Sequence, residues 1–520
     1  DWAPAAQRGR FVYACWDAQA RSLSAFTDLF RTHPVYYCST PQGLVCASDL
    51  RLVLHALRER PAADPVALYH YLNFAYIPSP RTAVAGVHKL QPGSRLDWRD
   101  GRASVQRFAD AAYPEDLRGS DADLAQALRE QIVRNVADYR PTPGTPWGTY
   151  LSGGTDSSSI AGILARATAG TPVDSFSIGF GEGAYDELNY SRIAVRHFGL
   201  APHERVVGEA DSVALVPRLV RGFDEPFGNS SAIPTFYCAD LAQREGKQLL
   251  IAGDGGDEIF GGNERYAKDQ VFRWFHESPG LVRGAGRLLA GMLRGMDAHW
   301  ANRIKNMVHR GLMPNPDRFY SDDSFASDHF EDMLAPDFRA RVDRDDSLNV
   351  QREIFARAGT RSELHRLMYL DLQMTIAESD VVKVVRSAKM AGIDVAFPYL
   401  DAGLVAYTGR LPDQHKVKVL KKRHLFKLAM ADILPVEIIK KKKQGFGLPI
   451  AVWMREKGAM RELVNDVLGS ARARERGYVQ PAFVQQLLQT HERGSWDYAS
   501  EIFRLLMLEL WHREYLDAQA

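Results

Sequence analysis

The sequence predicts an α/β fold, a doubly wound parallel sheet with a helical C-terminal lobe, preceded by a β-rich region, and three observations predict it. Between residues 147 and 252 short apolar runs of strand length alternate with segments of helical periodicity, the signature of parallel strands joined by crossover helices. After residue 260 the periodicity is mostly helical to the C-terminus. Before residue 98 the apolar runs are short and bounded by Gly, Pro, Asp or Ser, as in strands closed by turns.

Taken in order, "RFVYACWD", "PVYYCST", "GLVCASD" and "VHKLQPGSRLDW" read as the strands of the first region. The polar stretch "AYPEDLRGSD", residues 112–121, reads as a linker, and residues 123–139 open a helix. The alternating segment then gives strands at 147–151, 173–180, 203–207 and 247–252, with helices at 157–167, 186–198 and 231–244. This divides the chain into residues 1–115 and residues 120–520, the latter with an α/β core at about 120–265 and a helical lobe at about 266–520. Ligands of such sheets bind beyond the carboxyl ends of the strands, so the turns there are the places to search.

The chain has 520 residues, 45% of them hydrophobic and 25% charged, the composition of an ordinary folded protein. Its 65 Lys and Arg nearly cancel its 64 Asp and Glu. No global field favours nucleic acid or an anionic membrane, and any basic patch is local. No apolar run of 18 residues and no secretory leader stands out, so a cytoplasmic enzyme without membrane or nucleic-acid partners is expected. Cys15, Cys38, Cys46 and Cys238 lack C-x-x-C spacing and read as free thiols.

Two strand ends carry the chemistry. In "LSGGTDSSSI", residues 151–160, two glycines let the backbone turn tightly and approach a ligand, and the amides opening the next helix suit phosphate oxygens. No Lys follows the second glycine as it would in a P-loop, so charge must be neutralised by a metal or by distant residues. Asp156 is the candidate ligand for a hard cation such as Mg²⁺; the plainer reading is a helix N-cap. The second constellation, "LLIAGDGGDEIFGG" at residues 249–262, again runs a strand into an acidic glycine turn. There Asp257 could join Asp156 on one cation, with Asp254 and Glu258 adding acidity; the plainer reading is a surface loop.

The pair S-G-G-x-D-S and G-D-G-G-D-E resembles the asparagine synthetase family, ATP pyrophosphatases that adenylate a carboxylate. "FSIGF" (176–180), "YDELNYSRIAVRHFG" (185–199), "DEPFGNSSAIPT" (224–235), "VKVVRSAKMA" (382–391), "FPYLD" (397–401) and "KKQGFGLPIAVW" (442–453) extend the likeness in the family's order. The resemblance implies a core of the adenine-nucleotide alpha-hydrolase type, with ATP and Mg²⁺ as cofactors. It makes Ser152, Gly153, Gly154, Asp156, Ser157 and Ser158 the pyrophosphate loop, puts Asp156 and Asp257 on the metal, and gives adenine and ribose contacts to Ile178 and Gly253. It also implies that Lys443 neutralises charge on the phosphates during adenylation. The other lysines of residues 440–443 and of "KVKVLKKRH" (416–424) read as solvated surface, the rival reading being a nucleic-acid patch.

Departures from the family concern the acceptor. The Glu that usually precedes "PFLD" and can accept a proton from the attacking amine is Asp394 here, the Arg two residues on is Ala396, and Val385 stands where the family has Asp. Residues 8–37 resemble the later half of the family's glutaminase domain, of the N-terminal-nucleophile type, with Asp28, Pro34 and Tyr36 matching and Thr27 and Arg31 departing. The stretch that would hold the Cys nucleophile precedes Asp1, and an upstream segment is expected. The resemblance thus implies AMP-forming amide synthesis on a small-molecule or peptide carboxylate, with ammonia as the nitrogen donor and room for a homodimer. The alternatives are a cyclase that uses an amine of the substrate itself, as β-lactam synthetases and lasso-peptide cyclases do, and a nucleotide-binding pseudoenzyme.

Overall fold

A computed structural model describes residues 9–57, 61–168, 170–181, 188–296, 298–441 and 448–517. The first region holds two antiparallel sheets. One, in the order β1-β2-β6-β7, is formed by β1 (Val12–Asp17), β2 (Ser22–Thr27), β6 (Ser94–Arg99) and β7 (Arg102–Arg107). The other, β4-β3-β5, is formed by β3 (Tyr36–Thr40), β4 (Gly43–Ala47) and β5 (His88–Lys89). Helices α1 (Leu50–Ala56) and α2 (Pro65–Phe74) lie between β4 and β5, each opened by an Asp whose carboxylate accepts from first-turn amides.

Residues 108–120 carry no helix or strand, yet they are tied down: the amide of Glu115 donates to the Gly409 carbonyl and that of Leu117 to the Arg410 carbonyl. The following helix α3 (Asp121–Asp138) begins at a capping box, in which Ser120 Oγ accepts from the Asp123 amide and the Asp123 carboxylate accepts from the Ser120 amide.

The central sheet has five strands in the order β10-β9-β8-β11-β12, all parallel. They are β8 (Trp147–Tyr150), β9 (Asp174–Gly179), β10 (Ala201–Val206), β11 (Leu249–Ile251) and β12 (Asp394–Ala396). Helices α4 (Thr155–Ala167), α5 (Leu188–Phe198), α6 (Glu209–Gly222) and α7 (Ala232–Arg244) connect the first four. Chain direction across the sheet reverses between β8 and β11, so the two strands at the switch point are those that run into the two glycine turns. Helix α6 contains Pro217 at its centre, which masks its periodicity in the sequence, and β12 is only three residues long.

Beyond α8 (Gly256–Phe260) the chain is helical, beginning with α9 (Glu264–His276), α10 (Gly280–Met292) and α11 (His299–Leu312). Among the described residues no helix is long and apolar enough to cross a membrane. A π-helix over Leu372–Asp380 runs directly into the helix Val381–Ala391. It carries Glu378, the centre of a buried clasp between the first region and the rest. Arg31 pairs with Glu378, whose other oxygen accepts from the Ser79 amide at 3.0 Å. Lys89 Nζ lies 2.6 Å from Glu225 and 3.5 Å from Glu378. Both cations come from the first region and both carboxylates from the second.

Candidate functional site

The strand β8 ends at Tyr150, and the chain turns at Gly153, whose φ is +67°; a Cβ there would strike the backbone of Tyr190 and Ser191. Gly154 is the N-cap of α4 and makes no side-chain cap, so the plainer N-cap reading fails in its detail: no Ser or Asp side chain caps the opening amides of this helix. Instead Ser152 and Ser157 hold each other across the turn, Oγ to Oγ 3.1 Å, and Ser157 Oγ accepts from the Ser152 amide at 3.2 Å. Ser158 departs from expectation. It is fully buried, its Oγ has no partner and its amide donates to the Gly154 carbonyl, so it faces the core rather than the turn.

The second turn packs against the first. A Cβ on Gly253 would come within 2.9 Å of the Ser157 nitrogen, and one on Gly256 would strike the Asp156 carboxylate, so only glycines permit the approach. Ile178, near the carboxyl end of β9, has a buried side chain and leaves only its backbone for a ligand. The approach brings Asp156 and Asp257 together around one cation, the Arg423 guanidinium. Arg423 Nη1 and Nη2 pair with Asp156, the latter at 2.5 Å, while Nε lies 3.0 Å from Asp257 Oδ1 and Nη2 also pairs with it. Nη1 further donates to Thr155 Oγ1 at 2.9 Å. Arg423 is buried and sits in the left-handed region at φ +54°. Two converging carboxylates that already enclose a positive charge form a donor set suited to a hard divalent cation, with phosphate oxygens completing the shell. Among the described residues no group of three or more His, Cys, Asp or Glu is disposed to hold a metal.

Asp254 stands in the same turn. Burial pushes its carboxyl up to about 6, against the opposing pull of Lys383 and with Asp380 adding to the rise. Lys383 lies 2.7 Å from Asp380. Burial works against the Lys383 charge, but Asp380 and Asp254 more than offset it and raise its pKa.

Asp394 is not brought to this site. It begins β12, paired with Leu249 at the entry end of β11, whereas the turns lie beyond the exit end. Its side chain is 63% exposed and bonds Arg10 Nη2 at 2.7 Å. The match to the family's motif locates the residue in the chain but not at the glycine turns, because a strand of three residues separates it from the end that matters. Val385 lines a small pocket between the first region and the helix Val381–Ala391, beside Tyr36, Glu225 and Glu378. Lys443 lies outside the described residues, as do residues 185–187 of the Tyr185 motif. Its neighbour Lys441 reaches the Ser152 carbonyl at 3.5 Å and lies over the Tyr190 ring at 4.5 Å.

The reading of most lysines of residues 416–424 as solvated surface holds for Lys418 and Lys421, which are exposed, and is corrected for the rest of the segment. Lys416 and Arg423 are buried, Lys418 and His424 bond Asp121 at 2.7 and 2.8 Å, and Lys422 bonds Glu264 at 3.1 Å. Arg423 is thus the site residue that motif reasoning missed. "FPYLD" proves to be a buttress: Tyr399 OH meets Ser159 Oγ at 2.5 Å behind the first turn, and Asp401 caps the helix Ala402–Arg410.

Comparison with known proteins follows the same line. The family described as Asparagine synthase matches residues 127–513, and the Glutamine amidotransferase domain matches residues 4–109. Asparagine synthetase [glutamine-hydrolyzing] 1 of Bacillus subtilis is 25% identical over 507 residues, 97% of this chain and 77% of the relative. A putative asparagine synthetase of Mycobacterium tuberculosis is 27% identical over 522 residues, 98% and 77% of the two chains. Amidase chry2 of Gibberella zeae is 22% identical over 521 residues, 91% and 74% of the two chains. The solved NMN synthetase of Francisella tularensis aligns at a TM-score of 0.20 and 16% identity over 28% of this chain and 59% of that one.

Proposed function

The chain belongs to the asparagine synthase family, a family of carbon–nitrogen ligases, and from that premise we propose that it joins a carboxylate to ammonia through an acyl adenylate at the Asp156 and Asp257 turns. The substrate carboxylate attacks the α-phosphate of ATP, the bond to the β-phosphate breaks, and pyrophosphate leaves. Ammonia then attacks the acyl carbon, loses a proton, and AMP departs. Activation by adenylation divides one difficult displacement into two easier ones.

The observation that carries this reading is the enclosure of a cation by Asp156 and Asp257 where two glycine turns meet at the sheet's switch point. Bound Mg²⁺ would neutralise phosphate oxygens, with these two carboxylates as its protein ligands. Ser152, Ser157 and the open amides after Gly154 suit the leaving pyrophosphate. Lys441, at the near end of the segment that holds Lys443, supports a role for that segment in stabilising charge on the phosphates. Backbone groups at Ile178 and Gly253 would contact the nucleoside. Asp254, rather than Asp394, is suited to accept the proton of the attacking amine, because burial holds its pKa near the operating range. The α/β core reads as the adenine-nucleotide alpha-hydrolase type, and residues 1–115 as part of a glutaminase-like domain of the N-terminal-nucleophile type joined to a synthetase of residues 120–520.

Ala396, where the family usually carries Arg, favours a second reading in which an amine of the substrate itself attacks. Free ammonium giving a primary amide, against a cyclised product without ammonium, separates the two. The shared first step is tested by carboxylate-dependent exchange of labelled pyrophosphate into ATP. Exchange is expected, with a loss of about a hundredfold or more in Asp156→Ala. Formation of ADP and phosphate in place of AMP and pyrophosphate would sink the proposal.

A further inference from the structure

Helix α10 folds in an inverted manner, while its neighbour α11 buries Ala301 and Val308. None of the 13 residues of α10 is buried, although the helix is rich in leucine, valine and methionine. It approaches α9 through a small residue: a Cβ on Gly286 would lie 2.7 Å from Phe275, and one on Gly311, in the last turn of α11, would lie 2.6 Å from the same ring. With its glycine face turned inward, α10 presents Leu281, Leu288 and Met292, at positions i, i+7 and i+11 of one stripe, with exposures of 89%, 68% and 77%. On α11, Trp300 and Met307 repeat the seven-residue spacing and are also exposed. A soluble helix normally buries such a stripe, and a contiguous exposed one marks an interaction surface.

Charge supplies the second observation. Residues 280–312 carry six Lys and Arg against one Asp, so the rest of the chain holds 59 basic and 63 acidic residues. Among the described residues Arg283, Arg287, Arg294, Arg303 and Lys305 have no carboxylate partner within salt-bridge distance; of the six, only Arg310 does, with Asp322 at 2.8 Å. Arg283 and Arg287 share one side of α10, away from the centre of the apolar stripe, and Arg294 follows in the turn just after the helix.

We propose that α10 and α11 seat the protein on an anionic lipid surface, the apolar stripe entering the boundary of the acyl chains and the arginines meeting phosphate headgroups. A second copy of the chain fits less well, because a symmetric contact would bring two faces of charge +5 together. The helices lie in the interface rather than crossing it, as their lengths require. The even charge of the whole chain conceals this surface, and the expectation of no membrane partner followed from that average.

Sedimentation with vesicles tests the proposal, using the full chain and phosphatidylcholine vesicles with or without roughly 30 mol % phosphatidylglycerol. Binding only to the anionic vesicles is expected, weakening as salt rises from about 0.1 to about 0.5 M. The triple variant Leu281→Ser, Leu288→Ser, Met292→Ser should reduce the bound fraction about tenfold or more. Arg283→Gln with Arg287→Gln and Arg294→Gln should reduce binding at low salt and flatten the salt dependence. All the altered side chains are exposed except that of Arg283, which is half-buried and donates to the His276 carbonyl, and an unchanged unfolding midpoint and pyrophosphate exchange would show that each variant remains folded. Failure to sediment, or equal binding by wild type and both variants, overturns the proposal. So does a wild-type dimer that the apolar variant makes monomeric, which assigns the face to a second copy, or retention on polyglutamate without vesicle binding, which assigns it to an acidic protein.

Discussion

Residues 415–424 and residues 280–312 are both rich in basic side chains, and the fold treats them in opposite ways. In the first segment His415, Lys418 and His424 converge on Asp121, Lys422 reaches Glu264, and Arg423 binds Asp156 and Asp257. In the second, five of six cations have no carboxylate within salt-bridge distance among the described residues, and apolar side chains of the same segment are exposed. The meaning of a basic run lies in what the tertiary fold sets opposite it. Where acids from distant segments arrive, the run becomes structure; where none arrive, its charge stays available to something outside the chain.

The strongest way to break this comparison is Arg423→Met. With side-chain exposures of 8% for Arg423, 20% for Asp156 and 16% for Asp257, the variant removes the guanidinium that two close, largely buried carboxylates share. Denaturant unfolding in the presence of a chelator should show a loss of about 3–5 kcal/mol. Added Mg²⁺ should restore part of it, because the cation takes the place of the guanidinium; equal stability of variant and wild type under chelation would show that the pairing contributes nothing.

A smaller effect, of opposite sign, is expected at Lys416, the one cation of the first segment whose Nζ is buried without a hydrogen-bond partner. Burial pushes its pKa down from the usual lysine value to about 7. The folded protein therefore holds this proton less tightly than the unfolded chain. Its contribution grows as pH rises from about 7 toward the ordinary lysine range and is lost as pH falls through about 7. Lys416→Met should raise stability at pH 7 by about 1–3 kcal/mol and flatten that rise, as pH-resolved melting would reveal. The smallest effect belongs to Lys422→Ala. Its 3.1 Å bond is to a Glu264 side chain that is 53% exposed, and unfolding should shift by no more than about 1 kcal/mol.

Much of the central sheet was legible because its signals are local. Apolar runs ending in glycine mark β8 and β11, and the alternation with helices makes the strands parallel. Helix α6 was passed over because Pro217 interrupts its pattern, and β2 and β7 because their alternation is weak; β7 is exposed along nearly its whole length. Asp156 and Asp257 could be read from their own turns, since each lies in a glycine-rich acidic motif at a strand end. Arg423 could not, because nothing adjacent distinguishes it from Lys421 or Lys422, and its role depends on two carboxylates 166 and 267 residues away. Asp394 shows the converse, a motif match whose side chain the strand direction carries to the wrong edge.

The clasp of Arg31 and Lys89 on Glu378 and Glu225 bears on how the polypeptide can be divided. Severing the backbone within residues 108–120 and keeping only the later portion would take away the cations that pair with both glutamates and open to water the apolar face around them, which includes Phe223, Phe227 and Val385. The later portion thus relies on the earlier one for cover, and an attempt to express it alone would have to make that uncovered apolar face polar while the glutamates themselves could stay.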